Sequence, residues 1–142
     1  MKRDALDDLF SKLVRERAGW CCEACGKYYP EGQRQGLHCS HHYSRRHMAT
    51  RYEPLNASAH CFSCHQHLSG NPVLFAYWIK THLERLYGPH AFGALEEKHQ
   101  SIVKLTRADK AELKAHMKAE LKRLQDERAA GKTGRIEFVG YL

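Results

Sequence analysis

Apolar residues recur at helical spacing from Ala5 to Arg17, where Leu6, Leu9, Phe10, Leu13 and Val14 line one face, Asp4 takes the N-cap position and Gly19 ends the run. The pattern predicts an amphipathic N-terminal helix. From Trp20 to Gly70 the period is lost, and Cys, His, Arg, Tyr and Gly dominate, the texture of a loop-rich segment with short strands. Helical signals return at Asn71-Pro72, a cap followed by a first-turn proline. Val73, Leu74, Tyr77, Trp78, Leu86 and Tyr87 then supply apolar positions until Gly88-Pro89. A short helix is expected over 91–104. Thr106-Arg107-Ala108-Asp109 reads as a capping box with Asp in the place of Glu, and it opens a long, charged helix reaching about Ala130. Its apolar line, Leu113, Met117, Leu121 and Leu124, is narrow and suits a helix lying along the core or along a partner. Gly131 and Gly134 bracket a linker, and Ile136 to Val139 is expected as a terminal strand.

These elements predict an α+β chain organised as an N-terminal helix (1–19), a compact core (20–88) and a helical C-terminal extension (89–142). With 142 residues there is room for one ordinary domain and a helical appendage. No run approaches the ~18 apolar residues of a membrane span, and the N-terminus turns acidic at Asp4 before a signal-peptide core forms, so a soluble, cytoplasmic protein without membrane contact is expected. Charge narrows the partners: 23 Lys and Arg against 16 Asp and Glu give a net charge of +7 and favour a polyanion, nucleic acid first.

Two C-x-x-C pairs, Cys22/Cys25 and Cys61/Cys64, each place two sulfurs on one side of a tight turn, and two such turns form the tetrahedral thiolate site that zinc prefers. The 35 residues between Cys25 and Cys61 exceed a zinc-finger interval, so something is built between the knuckles. Cys21 and Cys39 belong to neither pair and read as ordinary buried thiols. Between the knuckles lie Leu37-His38-Cys39-Ser40-His41-His42-Tyr43-Ser44-Arg45-Arg46-His47, then Arg51-Tyr52 and Asn56, ending in His60-Cys61-Phe62-Ser63-Cys64-His65. So many imidazoles and guanidiniums are costly to explain as packing. Tyr28, Tyr29, Tyr43 and Tyr52, interleaved with the charges, read first as core residues and second as stacking platforms for bases.

At these residues the chain resembles the HNH (ββα-metal) endonucleases, through His41 or His42, Asn56 and His65 set between the zinc knuckles. The succession of knuckle, His-aromatic element, Arg51-Tyr52, Asn56, knuckle and Ser69-Gly70-Asn71 is similar to the NinG family of lambdoid phages, whose members include a recombination endonuclease acting on branched DNA. The likeness covers about Trp20 to Arg128. It implies a small zinc-stapled ββα-metal core with flanking helices, and a phosphodiester hydrolase using a catalytic divalent ion, Mg or Mn, with Ni or Zn also suited to an imidazole-rich site.

By the same resemblance, a histidine acts as base, His65 holds the ion and Asn56 orients the loop. Most HNH enzymes carry Asp just before the base, whereas Ser40 and His41 stand here, which leaves two registers. In one, His41 is the base and His38 the second ligand; in the other, His42 is the base and His41 the ligand. Arg45, Arg46 and Arg51 are the expected phosphate clamps. The implied partners are branched DNA, recombination proteins and, for symmetric cutting of a four-way junction, a second copy of the chain in a homodimer. For a phage-encoded chain the expected site is the host cytoplasm. The competing expectation is a non-catalytic, zinc-stabilised DNA- or RNA-binding recombination accessory, which does not require His41, Asn56 and His65 in register.

Overall fold

The computed structural model describes residues 1–30 and 36–141. Helix α1 (Ala5–Arg17) begins at a full capping box, in which the Asp4 side chain accepts from the Asp7 backbone N–H and Asp7 accepts from that of Asp4. It ends in two consecutive left-handed residues, Gly19 (φ 63°) and Trp20 (φ 60°), which turn the chain into the first knuckle. The next elements are β1 (Leu37–His41), the one-turn helix α2 (Met48–Arg51), a 3-10 turn (Pro54–Asn56), β2 (Ala57–Cys61) and α3 (Phe62–Ser69). Helices α4 (Pro72–Tyr87), α5 (Ala91–His99) and α6 (Arg107–Ala129) complete the order.

Strands β1 and β2 pair antiparallel in the register Leu37↔Cys61, His38↔His60, Cys39↔Ala59, Ser40↔Ser58 and His41↔Ala57. Side chains alternate across a strand, so Leu37, Cys39 and His41 share one face, and His38 and Ser40 the other. Helix α1 covers the first face, with Phe10 against His41. Helix α3 covers the second, and α6 packs on the far side of α1. The main core therefore joins Leu6, Phe10, Leu13 and Val14 of α1 with Leu37, Ala59, Leu113, Met117 and Leu124, drawing on all three stretches of the chain. A second apolar cluster, Leu68, Phe75, Ile79, Leu83 and Leu95, binds α3, α4 and α5 together.

Two local expectations change. Helix α5 stops at His99 instead of near 104, because the following residues offer it no buried face; Ile102 is 93% exposed. The segment 136–139 is buried at Ile136 and Phe138 yet is no strand. Its polar groups are taken by other partners: Ile136 N–H donates to the Arg17 carbonyl, Val139 N–H to Glu120, while Arg123 and His116 bond the Glu137 and Val139 carbonyls. With those groups satisfied there is no demand for a ladder. No helix among the described residues is long and apolar enough to cross a membrane.

Candidate metal centre and histidine face

The sulfurs of Cys22, Cys25, Cys61 and Cys64 lie within 4.8 Å of one another. The Cys25 and Cys61 sulfurs are 3.8 Å apart, and a tetrahedral site with Zn–S near 2.3 Å has S···S separations of about 3.8 Å. Backbone N–H groups of Cys25 and Cys64 point at the Cys22 and Cys61 sulfurs, each at 3.5 Å, the donor arrangement that stabilises thiolates. At Cys61 burial opposes ionisation, but the hydrogen bonds from Cys64 and the neighbouring thiols outweigh it and bring the group down to about 7. These four residues are positioned to hold a structural metal ion, and the all-thiolate donor set is that of zinc. Cys61 also caps α3, so the site joins the first knuckle, the end of β2 and the helix start. Cys39 is half-buried against the main core instead of fully buried, and desolvation raises its thiol to about 12, in keeping with an inert packed residue.

The first knuckle is anchored by Glu23, which sequence reasoning passed over. Its buried carboxylate accepts from the Ala59 N–H (2.6 Å), Arg135 (2.7 Å) and His82 (2.9 Å), tying β2, the C-terminal tail and α4 to one point. Burial alone would raise its pKa, but these partners and Arg17 hold it at about 2.

On the α3 face of the hairpin, Ser40 Oγ and His65 Nδ1 share a hydrogen bond of 2.6 Å. His38 stacks on His65, with ring centroids 5.2 Å apart, and its Nε2 is buried without a partner. His60 sits across from His38, fully buried with neither ring nitrogen bonded, and burial lowers its pKa to about 4. Apart from the four cysteines, no group of three His, Cys, Asp or Glu ligand atoms converges among the described residues.

His41 points the other way. Its Nε2–H donates to the Arg51 carbonyl at 3.2 Å, its ring meets Phe10, and burial lowers its pKa to about 4. That bond leaves Nδ1 with the lone pair. His41 and His65 are thus on opposite faces, so the register in which His41 joins His65 as a ligand is not assembled. His42 lies just past β1 with its ring among Tyr43, Phe75 and Phe92.

The unfolded chain protonates His41 near pH 6.5 and the folded one near 4, so the stability that the neutral ring confers is present above 6.5 and lost as pH falls between those values. His41→Phe is expected to remove about 2 kcal/mol of the stability lost between pH 7.5 and 5. Urea titrations of the two proteins at both pH values check this, and parallel losses would refute it.

Asn56 is fully buried. Its Oδ1 accepts from the Tyr43 N–H (2.8 Å), and its Nδ2 donates to the Tyr43 and Thr50 carbonyls (both 2.9 Å), pinning the loop that follows β1. Asn56→Ala leaves the Tyr43 N–H and carbonyl without partners, while the Thr50 carbonyl keeps the Glu53 N–H, and should cost about 3 kcal/mol in denaturant unfolding. A loss under about 1 kcal/mol would show that the pin is dispensable.

The arginines divide. Arg51 is buried and forks onto Asp7 of α1, Nε to Oδ1 at 3.0 Å and Nη2 to Oδ2 at 2.6 Å. Arg45 also donates to Asp7, at 3.1 Å, while Arg46 is exposed. The expected three-arginine clamp is thereby corrected: Arg51 is an internal anchor with its fork filled by a carboxylate. Desolvation opposes the ionised form of Asp7, yet the bonds from Arg51, with Arg45 nearby, hold it at about 2. Asp7 does not stand out in the sequence, and its capping contact with Asp4 and its pairing with Arg51 appear only in the fold.

The geometry defines a small α+β protein with four cysteines positioned to hold a metal ion and an antiparallel hairpin with an imidazole-lined face. Residues 3–127 match the family model described as bacteriophage lambda NinG protein, and the chain belongs to that family. No curated protein and no solved structure matches it.

Proposed function

We propose that this NinG-family chain is a metal-dependent DNA endonuclease of the HNH type, acting on branched or recombination-intermediate DNA. The observation that carries the reading is the contact of Ser40 with His65 across β1 and α3, beside His38 and next to the loop pinned by Asn56. An antiparallel pair leading straight into a helix is also the order expected of a ββα-metal core.

His65 with His38 would hold a divalent ion, whose positive charge stabilises a phosphate undergoing hydrolysis. The buried, unbonded Nε2 of His38 fits such a ligand. The base is His41 or His42: the His41 ring is neutral at pH 7 with its tautomer fixed by the Arg51 carbonyl but faces away from His65, whereas His42 follows β1 on the α4 and α5 side, with Phe75 and Phe92. Ser40 orients the His65 ring and Asn56 holds the loop.

The second reading, a zinc-stabilised DNA-binding accessory without catalysis, needs only the four-cysteine cluster and the basic charge balance. Incubation of the purified chain with linear, nicked, D-loop and four-way-junction DNA, with Mg or Mn, separates the two. Cleavage of any substrate supports the nuclease, and binding without cleavage under all conditions supports the accessory.

A further inference from the structure

Helix α6 carries its charges on two separate flanks. At 100° per residue, Glu112, His116, Glu120 and Arg123 fall on one side of the buried line Leu113, Met117 and Leu124, and Arg107, Lys110, Lys114 and Lys118 on the other. The first flank is occupied by the C-terminal tail. Glu112 accepts from Tyr141, Glu120 from Arg123 and the Val139 N–H, and His116 bonds the Val139 carbonyl. The remaining acids of α6 are also engaged: Asp109 caps Thr106, Asp126 pairs with Lys122 and Glu127 with Arg123.

The i to i+4 pairing that would neutralise this helix is therefore used up away from the second flank. Arg107, Lys110, Lys114 and Lys118 are exposed and make no ion pair with the described residues. Lys110, Lys114 and Lys118 are each four residues apart, an arrangement of like charges that costs helix stability, and Arg107 and Lys110 sit at the helix N-terminus, where cations are disfavoured. A polyanion removes both penalties. The column spans about 16 Å along the helix axis, and phosphates of one DNA strand recur every ~3.4 Å of rise along the duplex axis, so each cation has a phosphate within reach.

The column is also remote from the imidazoles. Helix α6 packs on α1, α1 on the His41 side of the hairpin, and His65 lies on the opposite side. We infer that Arg107, Lys110, Lys114 and Lys118 form a second DNA-backbone surface, which holds a duplex arm other than the one at the His65 face. The inference rests on the proposed function for the identity of the polyanion as DNA.

The test is fluorescence anisotropy of the full chain and of Lys110→Gln/Lys114→Gln/Lys118→Gln, on a four-way junction and on linear duplex of equal length, across a salt series without added divalent ion. Zinc content and circular dichroism confirm that both proteins are folded. On the junction the variant should lose about tenfold in affinity and show a salt slope smaller by about 2 to 3 units, with a lesser change on linear duplex. Coincident slopes for the two proteins on the junction, or equal losses on both substrates, overturn the inference. Cleavage assays separate its fate from that of the nuclease reading. Wild type that shows the expected slope difference yet cuts nothing supports the lysine surface alone, whereas cleaving protein with coincident slopes refutes the surface alone.

Discussion

Removing the metal from the four-cysteine site is expected to unfold the hairpin and the helices attached to it. The hairpin has only two five-residue strands, and an isolated pair of that kind is marginal in water. What fixes it is the junction of the first knuckle, the end of β2 and the start of α3 at four sulfurs. Structural zinc contributes about 10–16 kcal/mol in small modules, as much as the whole stability of an ordinary domain. Cys61→Ala should therefore give a largely unfolded chain, and a strong chelator should convert wild type to the same state. Cys39→Ala, which removes a half-buried thiol from the α1 side of the hairpin and no ligand, should cost only about 1–2 kcal/mol. Metal analysis and far-UV circular dichroism decide the matter: folded wild type containing no zinc, or equal effects of the two substitutions, would rule out the staple.

The convergence of the four cysteines was legible because cysteine spacing carries its own geometry, and α1, α4 and the start of α6 because their caps and apolar periods coincide at the same residues. The pairing of Arg51 with Asp7 was hidden, since the two lie 44 positions apart and Arg51 beside a histidine cluster has the composition of a phosphate clamp. The facing of the histidines was available in principle. In a strand over 37–41, period-two alternation puts His38 and Ser40 on one side and His41 on the other, so a motif read residue by residue joins side chains that the pleat separates. The tail misled for another reason: alternation of Ile136 and Phe138 reports burial, while strand pairing depends on where the backbone groups find partners, and here these are side chains of α6 and a carbonyl of α1.

The same separation of faces shapes the expected result on cleavage, which carries the nuclease proposal. If His41 is the base, His41→Ala should retain zinc, fold and DNA binding while cutting falls by at least ~100-fold at any metal concentration, the scale of a lost general base. His65→Ala should differ in kind, because weakened ion binding raises the Mn or Mg concentration needed and leaves partial activity at high Mn. His38→Ala should resemble His65→Ala, since those two rings stack on one face. A base kept neutral down to about pH 4 in the free protein predicts little loss of the His41 function between pH 7 and 5, whereas an imidazole of ordinary pKa would lose most of it below about 6.5. Measuring single-turnover cleavage against pH and metal for the three variants separates the base from the ligands. Loss of cutting with His42→Ala but not with His41→Ala would transfer the base to His42. Indifference of cleavage to His38, His41, His42 and His65 alike would remove the chemistry from the hairpin and leave a zinc-stabilised DNA-binding protein.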